Sequence, residues 1–183
     1  MPVDPTTSFC LFDTAVGGCA LVWGAQGIVG VLLPEPTAAA TQAKVRRRYP
    51  GALEAAAPAP LQRVIHRIRG LLDGGHDHLE DIELDLRSIP AFNRRVYELT
   101  RAIHPGRTRS YGEIALDLGE PHSARAVGQA LGSNPFPIII PCHRVLAAGA
   151  KAGGFSAPGG TRTKLRLLEI ERAPLGGSPG LFD

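Results

Sequence analysis

Three prolines close together limit most strongly what this chain can fold into. Pro135, Pro137 and Pro141 lie within the stretch Asn134–Val145. Proline lacks a backbone N–H and restricts the residue before it, so this stretch can form neither a regular helix nor a central strand. We expect a defined, partly extended segment that presents Cys142 at its end.

The chain of 183 residues has three cysteines, an odd number and too few for a disulfide framework, so free thiols in a reducing compartment are expected. Cys10 and Cys19 lie in apolar runs and are expected to be small buried hydrophobes. Cys142 differs because His143 and Arg144 follow it directly, and neighbouring cations favour the nucleophilic thiolate.

The composition, with 44% hydrophobic and 20% charged residues, is that of a globular protein. No apolar run approaches the roughly 20 residues needed to cross a bilayer. The first residues also lack the basic and apolar regions of a secretory signal. These features predict a soluble cytoplasmic protein with no membrane partner.

Charge is distributed unevenly along the chain. Residues 1–88 carry 8 Lys and Arg against 10 Asp and Glu, a net −2, whereas residues 89–183 carry 12 against 7, a net +5. Most cations of the second half are Arg, which contacts phosphates at two points. The basic half therefore indicates nucleic acid as a candidate partner.

The first half of the chain has the pattern of a small α+β domain. Three β-rich runs separated by glycines predict a β-meander with hairpin turns, one at Gly17–Gly18 and one within residues 24–27. After these runs, apolar residues at helical spacing predict two helices, and alternating apolar residues then predict a short strand. The β-rich runs are residues 8–16, 19–25 and 27–33, the helices about 37–48 and 61–72, and the strand includes Ile82, Leu84 and Leu86.

From about residue 88 the pattern becomes helical. Apolar spacing predicts a helix from Phe92 to Ile103. Ser110 and Glu113 have the spacing of a capping box, which would open a short helix before a second one over residues 123–132. Two short helices in a basic region suggest a helix-turn-helix, and an ordinary helical hairpin in a core is the alternative.

The second of these short helices has two different faces. Val127, Ala130 and Leu131 gather on one side, whereas Arg125 and Gln129 fall on the other. Its remaining residues are mostly small, so the helix can lie close to a partner backbone. Tight packing against its own domain explains the small residues equally well.

The last helix places a carboxylate on its apolar face. At about 100° per residue, Glu171 falls between Leu167 and Leu168. Burying an unpaired charge is very costly, so Glu171 should have a partner. We expect that partner to be His143; pairing with Lys164 on the same face, or fraying of the helix end, are the alternatives.

Asn134 and the sequence PCHRV at 141–145, preceded by Ser110–Tyr111 and by 125–128, resemble the active-site signature of one family. It is the O6-alkylguanine-DNA alkyltransferases, also called methylated-DNA–protein-cysteine methyltransferases. The similarity covers nearly all of residues 9–172 and is strongest from residue 92 onward. Sequence and resemblance together predict an α+β protein with a small N-terminal β-meander and helix domain (1–88), a C-terminal winged-helix domain (89–175) and a flexible tail (176–183).

The resemblance implies a role for each matching residue. Cys142 would accept the alkyl group, His143 would deprotonate it through a water, and Glu171 would orient His143. Asn134 would be the hinge whose side chain ties the turn before the cysteine. Tyr111 would help to rotate the damaged nucleotide and would donate a proton or hydrogen bond to the guanine.

The resemblance also implies contacts with DNA through the minor groove. Arg125 would fill the space left in the duplex by the flipped-out nucleotide. The other residues expected at the DNA surface are Ser123, Ala126, Gly128 and Gln129. The flipped base would be contacted by Ser156 and by the backbone of Cys142 and Val145. This sequence has Phe155 where many members have Tyr in the base-covering loop.

The implied function is repair of double-stranded alkylated DNA by a monomer. An alkyl group of O6-alkylguanine would pass irreversibly to Cys142, with O4-alkylthymine as a further candidate substrate. Nothing in the chain would cleave the thioether, so each molecule would repair one lesion without a cofactor. One rival is a non-catalytic lesion sensor, which lacks the cysteine; another is a thiol hydrolase with a Cys142–His143 dyad and many turnovers.

No metal site is expected. The first half offers only Cys10, Cys19 and scattered histidines, among them His76 and His78, without the paired-cysteine spacing typical of structural zinc.

Overall fold

In the computed structural model, which describes residues 7–174, a β-sheet with two helices forms the first half and four helices form most of the second. This arrangement confirms the predicted α+β fold with a meander followed by a helical region. No helix among residues 7–174 is long and apolar enough to span a membrane. The tail expected at 176–183 lies outside the described residues.

The sheet is built around a three-stranded meander. Strands β1 (Ser8–Thr14), β2 (Gly17–Gly24) and β3 (Gly27–Leu32) pair antiparallel in chain order. A two-residue strand, β4 (Leu53–Glu54), adds parallel to β1 and gives the order β3-β2-β1-β4. The sequence did not predict β4, because it lies in a connector rich in alanine and proline.

The expectation that Gly17–Gly18 forms the first hairpin turn is wrong. Thr14 pairs with Gly17, so the turn consists of the two residues between them, and Gly17 begins β2 with a φ of +121°. In the second hairpin Gly24 pairs with Gly27, whose φ is +125°. Because this positive φ favours glycine, the glycines mark where each strand resumes after its turn.

Two helices of the first half lie where their spacing predicted them: α1 (Ala38–Arg48) and α2 (Ala59–Leu72). The short strand expected around Leu84 is reduced to one bridge with Ile28. The chain turns at residues 80–81 and again at 87–89, which leaves too little extended chain for a ladder.

The second half opens with α3 (Ala91–Arg101), which ends before the buried Ile103 that its spacing had included. A strand β5 (Arg109–Ser110) leads into α4 (Tyr111–Asp117), and the predicted capping box is present. Ser110 Oγ accepts from the Glu113 N–H at 3.1 Å, and Glu113 Oε2 accepts from the Ser110 N–H at 2.6 Å.

Helix α5 (Ala124–Gly132) packs against α4 and α3, completing the helix pair predicted as a helix-turn-helix. Strand β6 (Val145–Leu146) pairs parallel with β5 beside this pair, and α6 (Thr161–Ile170) packs against the segment that precedes β6. Together these elements surround the end of the proline-rich segment.

One apolar core runs through both halves of the chain. Leu21 and Ile28 of the sheet belong to the same buried cluster as Val127 of α5 and Ile139 of the proline-rich segment. The N–H of Val31 in β3 also donates to the Pro135 carbonyl at 2.9 Å. The sheet therefore helps to hold the segment that leads to Cys142. The division into domains at residue 88 stays a prediction.

Candidate active site

The proline-rich segment is irregular, as its sequence predicts, and it folds around the side chain of Asn134. Asn134 Nδ2 donates to the Ile140 carbonyl at 2.8 Å, and its Oδ1 accepts from the Phe136 N–H at 2.9 Å. Ile138 between these contacts has a φ of +76°, which β-branched residues rarely adopt. The two buried hydrogen bonds help to hold this strained loop in place.

Cys142 begins a 3₁₀ turn that extends to Arg144. Its side chain is buried, and burial raises the pKa of the thiol, whereas a hydrogen bond from Asn134 and the charge of Lys164 act in the opposite direction. The thiol therefore needs a base to become a thiolate at neutral pH. The turn also places His143 behind the cysteine, inside the protein.

The structure brings His143 and Glu171 together. His143 Nε2 lies 2.9 Å from Glu171 Oε1, and the two side chains are only 1% and 4% exposed. Glu171 caps the C-terminus of α6, where its N–H donates to the Leu167 carbonyl, so the helix end does not fray. The carboxylate on the apolar face of α6 is thus a buried partner of the imidazole.

Arg144 was not predicted as part of this cluster, although it follows His143 directly. Its guanidinium is buried and donates from Nε to Glu171 Oε2 at 2.9 Å and from Nη2 to Glu171 Oε1 at 2.7 Å. A third bond runs from Nη1 to the Ile103 carbonyl at 2.5 Å. One feature of the sequence could have indicated this role: Arg144 follows an apolar segment. An arginine buried there needs a carboxylate partner.

These contacts set the protonation state of Glu171. Burial alone would raise the pKa of its carboxyl group. The hydrogen bonds and charges of His143 and Arg144 outweigh burial and lower this pKa to about 2. Glu171 is therefore a carboxylate, and it balances the charge of Arg144 inside the protein.

His143 is poised to accept a proton. Burial lowers its pKa, with Glu171 acting in the opposite direction, so the ring is neutral near pH 7. In the part of the chain that the structure describes, His143 Nδ1 is buried and has no hydrogen-bond partner. A neutral ring that donates from Nε2 to Glu171 keeps its lone pair on Nδ1. The residue that follows Cys142 thus has an imidazole nitrogen free to accept a proton.

Cys142 opens onto a cleft of about 610 Å³ between α4, α5 and the loop before α6. Tyr111 at the start of α4, Arg125 and Gly128 of α5, and Ser156 of the loop line the same cleft. Burial raises the pKa of Tyr111, and the charge of Cys142 raises it further, so its phenol is protonated and able to donate. Gln129 lines it as well, so the structure brings six of the predicted site residues together.

The outer face of α5 also lies as predicted. Arg125 and Gln129 are exposed, whereas Val127 is fully buried. Ala126 is half-buried beside them, and the half-buried Ser123 donates its hydroxyl to the Glu120 carbonyl at 2.7 Å instead of capping the helix.

Val145 ends the cysteine turn and makes several contacts within the protein. Its side chain is fully buried, its N–H donates to the Cys142 carbonyl, and it is not among the described residues that line the cleft. The Val145 carbonyl accepts instead from Lys164 Nζ at 2.6 Å. Its N–H and its side chain are therefore occupied within the protein, and the expected contact of its backbone with the base stays a prediction.

Lys164 is not the partner of Glu171. Its Nζ donates to the Val145 carbonyl and lies 3.5 Å from the carbonyl of Gly154. The side chain is completely buried, and burial lowers its pKa to about 8, against the opposite influence of Cys142.

The other two cysteines lie on the sheet, away from this cleft. Cys19 is buried as expected, whereas Cys10 is only partly buried. Burial raises the pKa of both thiols, that of Cys19 to about 11, so both are poor nucleophiles at neutral pH. Among residues 7–174 no three His, Cys, Asp or Glu side chains are grouped so that they could hold a metal ion.

The fold and the site define a class: helix-turn-helix proteins with a buried cysteine beside the outer helix and an imidazole and a carboxylate behind it. Residues 91–173 match the family model for the DNA-binding domain of 6-O-methylguanine DNA methyltransferase. A methylated-DNA–protein-cysteine methyltransferase of Methanothermobacter thermautotrophicus is 33% identical over 157 residues, which are 86% of this chain and 81% of that protein. The chain belongs to the methylated-DNA–protein-cysteine methyltransferase family.

Other relatives match more closely over a shorter region. The enzyme of the same name from Mycolicibacterium paratuberculosis is 50% identical over 103 residues, which are 56% of this chain and 61% of that protein. The match thus spans less than two thirds of that relative. The Mycobacterium tuberculosis OGT crystallised in complex with DNA superposes with a TM-score of 0.75 and 32% identity, covering 91% of this chain and 95% of that one.

Proposed function

We propose that this protein repairs double-stranded DNA by direct reversal of alkylation damage, as a methylated-DNA–protein-cysteine S-methyltransferase that acts once. It would transfer the alkyl group of O6-alkylguanine to Cys142, and O4-alkylthymine is a second candidate substrate. One observation carries the proposal: the Cys142 thiol opens onto a cleft beside α5, and in the described part of the chain the next residue, His143, has a buried Nδ1 without a hydrogen-bond partner. The DNA complex of the related M. tuberculosis protein supports it.

Activation of the cysteine follows from the buried cluster. His143 Nδ1 takes the thiol proton through a water, because Nε2 is already bonded to Glu171. The resulting imidazolium is stabilised by the Glu171 carboxylate, whose second oxygen Arg144 holds. This arrangement provides a thiolate in a buried place where the thiol alone would stay protonated.

The thiolate then attacks the alkyl carbon in line with the bond to guanine O6. The S–C bond forms, the C–O bond breaks, and its electron pair stays on the guanine, which takes up a proton. Tyr111 lines the cleft with a protonated phenol and is placed to donate a proton or hydrogen bond as this charge develops. The product is a thioether, and the chain offers no means of cleaving it, so each molecule reacts once.

The outer face of α5 would enter the minor groove as the protein binds as a monomer. The exposed Arg125 would occupy the space left by the flipped nucleotide, and its base would enter the cleft beside Cys142 and Ser156. Ser123, Ala126, Gly128 and Gln129 lie on or next to the same surface of α5. Their small or polar side chains allow the helix to approach the DNA backbone closely.

Replacing Arg125 with alanine should separate base flipping from chemistry. Transfer from O6-methylguanine in duplex DNA should fall about 10-fold or more, since extrusion of a stacked base costs a few kcal/mol. Reaction with free O6-benzylguanine should change less than about 2-fold, because no base has to be extruded. The rates are measured on both substrates. Arg63→Ala, at an exposed arginine of α2, is the matched control. Equal losses on the two substrates would rule out this role of Arg125.

DNA binding should depend strongly on salt. If the basic half neutralises phosphates, the logarithm of the binding constant falls linearly with the logarithm of salt concentration, with a slope of about −0.9 per phosphate contact. Titrations of a fluorescent duplex between low and physiological salt measure the slope. An affinity independent of salt would contradict phosphate contacts and with them this mode of binding.

The thiol hydrolase remains the rival with a cysteine mechanism. It predicts many turnovers on an amide or peptide and has no use for Arg125. The two functions are separated by the intact mass of the protein after incubation with duplex DNA containing O6-methylguanine. Our proposal predicts a stable gain of one methyl group on the peptide that contains Cys142.

A further inference from the structure

A buried lysine beside the cysteine has no anionic partner. Lys164 of α6 is completely buried, and both of its hydrogen-bond acceptors are backbone carbonyls. Among residues 7–174, no carboxylate forms an ion pair with its ammonium group. The other fully buried cation, Arg144, differs in this respect because Glu171 balances its charge.

An ammonium group buried without a counter-charge destabilises the folded protein, so a neighbouring group that can become an anion would stabilise it. Lys164 interacts with three ionisable groups, those of Cys142, His143 and Tyr111. Its charge lowers the pKa of the Cys142 thiol and the pKa of the His143 imidazole. Its Nζ lies 5.7 Å from the centre of the Tyr111 ring. Of the three, Cys142 is the group that becomes an anion before the alkyl group is transferred. A thiolate at Cys142 would supply the missing negative charge.

The hydrogen bonds of Lys164 also connect two walls of the cleft. The Val145 carbonyl belongs to the residue that ends the 3₁₀ turn of Cys142. The Gly154 carbonyl belongs to the loop that carries Phe155 and Ser156 along the opposite side. Lys164 therefore holds the cysteine turn at a fixed place relative to this loop.

Resting on the function proposed above, we propose that Lys164 is a positioning residue for alkyl transfer, whose ammonium supplies the counter-charge of the Cys142 thiolate and ties the cysteine turn to the 153–156 loop. The thiol proton still goes to His143, so Lys164 neither gains nor loses a proton in the step. Its contribution is to stabilise the anion that forms.

The test measures ionisation of Cys142 without DNA or alkylguanine. Parent and variants react with iodoacetamide from pH 6 to 10, and the rate at Cys142 is followed by mass spectrometry of its peptide. Lys164→Met should raise the midpoint of this pH profile by about 1–2 units, because the positive charge that lowers the pKa of the buried thiol is removed. Lys151→Met, at an exposed lysine, is the control and should leave the midpoint unchanged.

Two further variants keep the test decisive if Lys164→Met does not fold. Lys164→Arg keeps the charge and should leave the midpoint within about 0.5 unit, whereas Lys164→Gln keeps a donor without charge and should raise it by about 1–2 units. At pH 7.5, transfer from O6-methylguanine DNA should be about 10-fold slower in Lys164→Gln than in Lys164→Arg.

An unchanged midpoint in the folded uncharged variants would overturn the proposal, as would a Lys164→Gln variant that transfers as fast as Lys164→Arg. The iodoacetamide profile is independent of the proposed substrate. If the parent fails to repair O6-methylguanine but Lys164→Gln still raises the midpoint, the DNA substrate is wrong and the charge role of Lys164 stands.

Discussion

Cys142→Ser is expected to reduce alkyl transfer by at least about 10³-fold, because a serine hydroxyl is far less nucleophilic than a thiolate. Binding of alkylated duplex DNA should persist, since α5 and Arg125 are unchanged. The variant would then behave like a lesion sensor. Incubation with radiolabelled O6-methylguanine DNA, followed by protein counting and a mobility-shift titration, measures both properties.

The same experiment fixes the stoichiometry of the parent protein. Transfer should stop when one alkyl group per molecule has been bound, because a thioether has no good leaving group at neutral pH. Cys10→Ser and Cys19→Ser are the matched controls and should react like the parent, because burial raises the pKa of both thiols. Continued turnover, or alkyl groups spread over all three cysteines, would instead favour a thiol hydrolase or unspecific scavenging.

Glu171→Gln is expected to lower the free energy of unfolding by about 3–5 kcal/mol, the usual effect of breaking a buried ion pair. The amide cannot accept both bonds of Arg144 while it also accepts from His143, so a guanidinium is left buried without its counter-charge. Transfer should slow as well, because the imidazolium loses the carboxylate that stabilises it. Urea unfolding at pH 7 measures the stability change.

The contribution of Glu171 to stability should also depend on pH in a defined direction. Its pKa falls from an ordinary 4.5 in the unfolded chain to about 2 in the folded protein, so folding is favoured when the carboxyl group is ionised. The difference in stability between parent and Glu171→Gln should be complete above pH 4.5 and shrink as the pH falls towards 2.

Glu169→Gln on the same helix is the control for both measurements. Glu169 is exposed and pairs only with Arg166 one turn away at 3.0 Å, so its loss should change stability by less than about 0.5 kcal/mol. If Glu171→Gln lowers the free energy of unfolding by less than about 1 kcal/mol, the stability of the buried cluster does not depend on the charge of Glu171.

Helices were predictable from the sequence because their buried apolar positions recur at a regular spacing along the chain. The position of Glu171 on the apolar face of α6 follows from such a repeat, whereas the meander strands and the capping box at Ser110 follow from local sequence patterns. Gly17 misled the assignment of the first turn, because a glycine with positive φ can begin a strand as well as occupy a turn. The glycine indicates that a positive φ is adopted nearby, but it does not show whether that residue lies in the turn or begins the next strand.

The irregular part of the site was much less predictable. No periodicity applies in the 3₁₀ turn at Cys142, so the inward direction of Arg144 could not be obtained from spacing. Lys164 shares the apolar face of α6 with Glu171, yet it bonds to a backbone carbonyl that no sequence pattern marks as available. Tyr111 and Ser156 were placed at the cleft only by the family resemblance.

The core shared by both halves connects the proposed repair activity to the sheet. Because Val31 of β3 binds the Pro135 carbonyl, a substitution that loosens the sheet would shift the loop that sets the orientation of Cys142. The first half, which carries no reacting group, would then influence the rate of a reaction whose groups all lie in the second half. Selection on this reaction would therefore restrict drift in strands that supply none of the reacting groups.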